Sequence, residues 1–219
     1  MKEVRKEALE GWIEGHFAHE DESLRAIRQE MTEGGYPEIQ LPPITARTLQ
    51  LLLRLVGARR VLEVGTLAGY SALWILRALP PGGTLTTVER SPERAAKARQ
   101  LLAEAGVGDR VEVVEGEASA VLANCAGGGS FDALFLDADK EGLPGYLDQA
   151  ARILAPGGLL LVDHALWKGR VLDPEARDEA TEAVRAMAGK IAADPGWDGS
   201  IIPTGDGLLV ALREGPEGD

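Results

Sequence analysis

The sequence predicts an α/β fold: a doubly wound, mostly parallel seven-stranded sheet with an antiparallel last strand and an N-terminal helical cap. Three observations carry this prediction. From residue 61 onward, short β-rich runs alternate with helical stretches, the pattern of parallel strands joined by crossover helices. Each run ends in an acidic residue or reaches a glycine, and in an open sheet of this kind ligands bind outside the carboxyl ends of the strands. The final two apolar runs are separated by the tight turn Gly205-Asp206-Gly207, which sets them antiparallel.

The elements follow in order. Val4, Ala8, Leu9, Trp12, Ile13, Phe17, Leu24 and Ile27 recur at helical spacing, interrupted near Gly15 and His19, so two amphipathic helices open the chain. Pro37, Pro42 and Pro43 enforce an extended segment, and Ala46–Leu55 resumes as a helix whose leucine-rich face must be buried. The first five strands are Val61–Val64, Thr84–Glu89, Val111–Glu115, Ala133–Asp137 and Leu159–Asp163. Helices near Ser71–Leu79, Pro92–Ala105, Ser119–Ala123 and Pro144–Leu154 separate them. A loop from His164 to Pro174, a helix Glu175–Ala193 and the runs Trp197–Ile202 and Leu208–Leu212 complete the chain. The Gly127–Gly129 run and the GPEGD tail are expected to be flexible.

With 219 residues, the chain reads as one domain: residues 1–57 a helical cap or oligomer region, 58–213 the sheet and its helices, 214–219 a tail. A chain this long buries about 70% of the surface its unfolded form exposes, so any metal would be there for chemistry. Cys125 is the single cysteine, which excludes an intramolecular disulfide and a multi-cysteine zinc site and fits a reducing cytosol. We therefore expect a cytoplasmic protein. The opening MKEVRKEALEGWIEGHF is charged throughout, neither signal peptide nor anchor, and no apolar run approaches the roughly 20 residues that cross a bilayer. The 35 acidic against 23 basic residues, a net charge of −12, argue against broad binding to nucleic acid or anionic membranes.

Two constellations carry chemistry. The first is Val61-Leu62-Glu63-Val64-Gly65-Thr66-Leu67-Ala68-Gly69-Tyr70-Ser71, a strand, a glycine-bearing turn and a helix start. A pyrophosphate cradle needs three glycines at G-x-G-x-x-G, and a carboxylate at its mouth would repel the phosphates. Glu63 instead suits a cationic ligand such as the amino acid part of S-adenosylmethionine, with Ser71 and nearby N–H groups meeting its carboxylate. Glu89 ends the second strand, 24 residues after Gly65, where an acidic side chain accepts both ribose hydroxyls. Taken with Gly65 and Gly69, these residues point to an adenosyl ligand, and Gly116-Glu117-Ala118-Ser119 is placed to flank its adenine. Thr66 of the same turn and Asp137 of the fourth strand complete the candidate donor contacts.

The second is Asp137-Ala138-Asp139-Lys140 after the fourth strand and Asp163-His164 after the fifth. Two carboxylates brought together on one sheet edge call for a cation or proton between them. Oxygen ligands favour Mg²⁺, with Mn²⁺ or Ca²⁺ as alternatives, and an imidazole at His164 tilts the choice toward transition metals. Lys140, beside the cation and the donor, is the candidate general base, with a surface salt bridge to Asp139 or Glu141 as its alternative role. His16 and His19 lack an acidic partner nearby and are expected to be exposed, Cys125 is expected to be structural, and Trp167 is placed to wall an aromatic acceptor.

On these segments the chain resembles the cation-dependent O-methyltransferases of the caffeoyl-CoA and catechol O-methyltransferase family. The matching stretches are VLEVGTLAGYSAL, TTVERSPERAAKAR, AGVGDRVEVVEGEA, FDALFLDADKEGLPGYLDQA, LAPGGLLLVDHALWKGRVLDP and PTGDGLLVAL, in order over about residues 41–212. The resemblance implies that S-adenosylmethionine contacts Leu41, Glu63, Gly65, Ser71, Glu89 and Ala118. It implies that Asp137, Asp163 and the next residue hold the cation while Lys140 acts as base, methylating one hydroxyl of a small catechol-like or other vicinal diol. It also implies a homodimer. The third ligand position is usually Asn in this family, and His164 stands there. This departure changes the metal preference, makes affinity fall below about the imidazole pKa of 6.5, or leaves the position unused. Ala46-Arg47 replaces the usual Gly-Gln pair, and the plant enzymes' substrate insertions are absent, so no coenzyme A ester is assumed. Alternative functions are methylation of a hydroxylated uridine in transfer RNA, which the acidic charge disfavours, and a non-catalytic adenosyl-binding module. A nicotinamide enzyme is disfavoured by the missing middle glycine.

Overall fold

The computed structural model describes residues 6–36, 41–125 and 130–215. The expectations for Val4, for Pro37, for Gly127–Gly129 and for the end of the tail lie outside them. Three helices, α1 (Lys6–Phe17), α2 (Glu22–Glu33) and α3 (Pro43–Leu55), precede the sheet. The sheet contains β1 (Arg60–Val64), β2 (Thr84–Glu89), β3 (Val111–Glu115), β4 (Phe131–Leu136), β5 (Leu154–Val162), β6 (Trp197–Ile202) and β7 (Leu208–Arg213). Its order is β3-β2-β1-β4-β5-β7-β6, with the first five strands parallel and β7 antiparallel to both β5 and β6. The connecting helices are α4 (Tyr70–Ala78), α5 (Pro92–Glu104), α6 (Ala118–Cys125), α7 (Leu143–Ile153) and α8 (Glu179–Ala193).

Period-two alternation along the strands builds two apolar layers. Val61, Ala133, Phe135, Leu159 and Leu161 pack on one face with Leu49 and Leu53 of α3, Leu73 and Leu76 of α4 and Leu102 of α5. Leu62, Val64, Leu134, Leu136, Leu160 and Val162 pack on the other with Leu122, Leu147, Val184 and Met187 of α6, α7 and α8. The strand order reverses at β1, which pairs with β2 on one side and β4 on the other. The crevice at such a reversal is where doubly wound sheets bind ligands.

The two largest boundary differences from the sequence reading, at β5 and α8, have local reasons, and the burial of α3 differs as well. Strand β5 begins at Leu154, five residues before Leu159, because a register irregularity between Phe131 and Ala133 lets Leu154 pair with Phe131. Helix α8 begins at Glu179 rather than Glu175, because the Asp178 side chain accepts from the Thr181 N–H and caps it there. On α3 the apolar stripe is narrower than expected: Leu49 and Leu53 are buried, Leu51 and Leu55 exposed. Helix α1 buries none of its side chains, and Leu9, Trp12 and Phe17 are exposed. Among the described residues no helix is long and apolar enough to cross a membrane.

Candidate active site

The carboxyl ends of β1 to β5 open onto a cavity of about 400 Å³. Of the residues singled out in the sequence, Leu41, Gly65, Thr66, Ser71, Glu89, Ala118, Asp137, Lys140, His164 and Trp167 line it. Glu63, Gly69 and Asp163 do not reach the lining; Glu63 and Asp163 are buried. Met31, Leu67, Tyr70, Arg90, Arg94 and Lys168 line it as well and were not foreseen.

On the β1 side, Glu63 is fully buried. Its Oε2 accepts from the Thr87 hydroxyl at 2.6 Å, the Ser71 hydroxyl also bonds its carboxyl group, and Oε1 has no partner among the described residues. Burial first, and the nearby Asp137 charge last, push its pKa up to about 7. Ser71 thus connects the cavity wall to this carboxyl group. The Thr66 and Thr87 hydroxyls lie 2.6 Å apart, continuing the polar chain. Glu89 accepts from the Leu67 N–H at 2.9 Å and the Ser91 N–H at 3.0 Å, so both its oxygens are oriented by main chain on either side. Gly69 begins α4 in the left-handed region at φ 90°, where glycine carries no Cβ penalty.

Met31 of α2 lines the cavity. The Tyr70 hydroxyl donates to Glu20 at 2.7 Å and accepts from Arg28 at 3.0 Å, while Arg28 pairs with Glu20 at 2.8 Å. This triad ties the N-terminal cap to the first turn of α4. It was not legible in the sequence, since its members are far apart in the chain and belong to no motif.

On the β4–β5 side, one ligand atom each from Asp137, Asp163 and His164 lies within 4.8 Å of the others. Asp163 is 1% exposed, and among the described residues neither of its oxygens meets a donor at good geometry, although the His164 N–H lies close by. Burial, then the Asp137 charge, push its pKa up to about 6. A buried carboxyl group left this unsatisfied is costly, and a cation between two carboxylates and an imidazole relieves it. The donor set therefore fits a divalent ion. His164 has its Nε2 3.4 Å from Asp163 Oδ2 and its Nδ1 3.1 Å from Asp206 Oδ2. Its backbone is left-handed at φ 59°, as are Trp167 at φ 47°, Lys168 at φ 54° and Gly169 at φ 77° in the same loop.

Lys140 is 5% exposed and points into the cavity region, with Nζ 3.6 Å from Asp137 Oδ1. The alternative role foreseen for it, a surface salt bridge to Asp139 or Glu141, is not what the structure places there. Asp139 instead accepts from the Gly142 N–H at 3.0 Å and the Tyr146 hydroxyl at 2.8 Å, pinning the loop that carries Lys140 onto α7. His16 and His19 are exposed on the cap, away from these groups. Cys125 is half-buried, and burial pushes its thiol pKa up, as suits an unreactive side chain. Ala46 lies in the apolar core.

The sequence matches the O-methyltransferase family over residues 14–214. The chain belongs to this family of S-adenosylmethionine-dependent O-methyltransferases. Among its relatives, the catechol O-methyltransferase of Niastella koreensis is 35% identical, the alignment covering 94% of this chain and 96% of that one. Among solved structures, the O-methyltransferase TomG of Streptomyces achromogenes, involved in tomaymycin synthesis and crystallised with S-adenosylmethionine, is 33% identical with a TM-score of 0.89, covering 97% and 100%. An O-methyltransferase of Bacillus cereus bound to S-adenosylhomocysteine is 31% identical with a TM-score of 0.88, covering 94% and 97%.

Proposed function

We propose that the protein transfers the methyl group of S-adenosylmethionine to one hydroxyl of a small catechol-like vicinal diol, in a cation-dependent reaction. The observation that carries this reading is Asp163: a buried carboxyl group without a hydrogen-bond partner among the described residues, clustered with Asp137 and His164, both of which line the cavity. The similarity to a catechol O-methyltransferase supports the acceptor class.

In this reading Leu41, Gly65, Thr66, Ser71, Glu89 and Ala118 surround the donor, and the carboxyl group of Glu63 attracts its ammonium through the floor formed by Ser71. Asp137, Asp163 and His164 would hold the cation. When bound, it supplies a Lewis acid that lowers the pKa of an acceptor hydroxyl from about 10. Lys140 takes the hydroxyl proton, the phenolic oxygen forms its bond to the methyl carbon, and the carbon–sulfur bond breaks with its electron pair leaving on sulfur. Most of the rate then comes from holding oxygen, carbon and sulfur in line. Trp167 walls the acceptor side, its ring edge-on to His164 at 6.4 Å between centroids.

The test is transfer of labelled methyl to 3,4-dihydroxybenzoate with Mg²⁺, with Mn²⁺ and with chelator. Transfer that the chelator abolishes supports the whole reading. Transfer that survives chelation overturns the cation dependence, and no transfer from a protein that binds the donor overturns the acceptor class. We further propose a homodimer formed through the cap, which leaves the apolar side chains of Leu9, Trp12, Phe17, Leu51 and Leu55 exposed. Light scattering that gives a monomer mass would overturn it.

A further inference from the structure

We propose that Asp206 is a positioning residue that holds His164 in its Nδ1–H tautomer, so that Nε2 completes a nitrogen-containing centre with Asp137 and Asp163 suited to a first-row transition cation. This rests on the cation site proposed above and narrows it.

The argument begins with the hairpin turn. Gly205-Asp206-Gly207 joins β6 to β7, and its main chain is docked on the loop that follows β5. The Ala165 N–H donates to the Gly207 carbonyl and the Leu166 N–H to the Asp206 carbonyl, each at 2.9 Å. A Cβ on Gly207 would lie 2.5 Å from Leu166 Cγ, so the close approach requires glycine there. The turn therefore presents the Asp206 side chain at a fixed place. That side chain accepts from the Lys168 N–H at 2.7 Å through Oδ1 and 2.9 Å through Oδ2, and Oδ2 lies 3.1 Å from His164 Nδ1.

A carboxylate only accepts, so the shared proton sits on Nδ1, which leaves Nε2 as the ring nitrogen available to a cation. Nε2 is the nitrogen on the Asp163 side, 3.4 Å from Oδ2. A histidine whose other ring nitrogen donates to a carboxylate is the usual support for an imidazole metal ligand, fixing tautomer and ring orientation together. The left-handed backbone of His164, at φ 59°, is the cost of bringing the ring into this place. Two carboxylate oxygens and an imidazole nitrogen favour Mn²⁺ or Co²⁺ over Mg²⁺, which prefers oxygen alone.

The substitution Asp206→Asn tests this with little change of shape. Its amide oxygen keeps the Lys168 N–H, which turns the NH₂ toward Nδ1 and forces the ring into the opposite tautomer. The readouts are Co²⁺ affinity by equilibrium dialysis and the hyperfine-shifted exchangeable Nδ1–H resonance of the Co²⁺-loaded protein. D206N is expected to lose that resonance and about 10- to 100-fold in Co²⁺ affinity. In an H164N background the same change should alter affinity by less than about twofold, while Mg²⁺ still binds.

D206N that keeps both resonance and affinity would overturn the proposal. So would an equal loss in the H164N background, which would mean that Asp206 only supports the loop. The parent reading fails differently: D163A that still binds Co²⁺ like the unaltered protein removes the cation site itself.

Discussion

A Cβ atom on Gly65 would sit 2.1 Å from the carbonyl oxygen of Asp137. Gly65 also has φ 102°, a region only glycine enters freely. The Asp137 N–H donates to the Val64 carbonyl at 2.9 Å, so the turn after β1 and the acidic end of β4 are in main-chain contact. The glycine read from the sequence as a donor contact is thus required first by the protein's own backbone.

Gly65→Ala should therefore destabilise the protein by about 3 kcal/mol, since the clash is with main chain that has nowhere to go. Gly69→Ala should cost nearer about 1 kcal/mol, because its Cβ would meet only the Leu102 side chain at 3.2 Å. Urea unfolding of the two variants gives the comparison, and an equal loss would show that the Asp137 contact is not limiting.

Glu63 makes stability depend on pH in a defined direction. Its folded pKa is raised from 4.5 to about 7, so over that window the folded state holds a proton the unfolded chain has released. Stability contributed by the neutral group is complete below about pH 4.5 and is lost as pH rises to about 7. Glu63→Gln should then stabilise the donor-free protein at pH 8 by up to about 3 kcal/mol and leave it nearly unchanged at pH 4. The same substitution should weaken donor binding about tenfold or more, by removing a charged partner. Unfolding at both pH values and calorimetric titration with S-adenosylmethionine check the two opposite signs.

Lys140→Met should lower kcat by about 10²- to 10⁴-fold with donor affinity within about twofold. Lys140→Arg should not rescue it, because a guanidinium does not give up its proton at these pH values. Activity retained by the arginine variant would make Lys140 an electrostatic partner of Asp137 rather than a base.

Asp163→Ala should abolish cation-stimulated turnover and leave donor binding nearly intact. The raised pKa of about 6 adds a pH dependence: cation affinity should fall as pH drops through about 6, where protons compete for the carboxyl group. Equilibrium dialysis at pH 5 and pH 7.5 reads this directly, and equal affinity at both would place the cation elsewhere.

The sheet was legible because alternating burial and crossover helices leave a periodic trace, and Thr84–Glu89, Val111–Glu115 and Trp197–Ile202 fall where the pattern puts them. Asp137, Lys140, Asp163 and His164 were legible as neighbours because parallel strands deliver their carboxyl ends to one edge. Asp206 was not, since it is 42 residues from His164 and its Gly-Asp-Gly setting reads equally well as a turn alone. The Asp139–Tyr146 hydrogen bond joins side chains seven residues apart that belong to no motif, and the Tyr70–Glu20–Arg28 triad spans 50 residues. On α1 the apolar spacing was visible, but spacing does not say whether the chain itself covers the stripe.

The loop from His164 to Gly169 holds three non-glycine residues in left-handed backbone, each costing on the order of 1 kcal/mol or more. A population of variants selected for heat resistance alone should therefore drift toward Gly or Asn at positions 164, 167 and 168, where relief of strain is easiest to find. Under the proposed reading, such survivors would be sturdier proteins with an emptied acceptor wall. In this chain, the segment that a stability screen would rewrite first is then the one that the proposed chemistry can least spare.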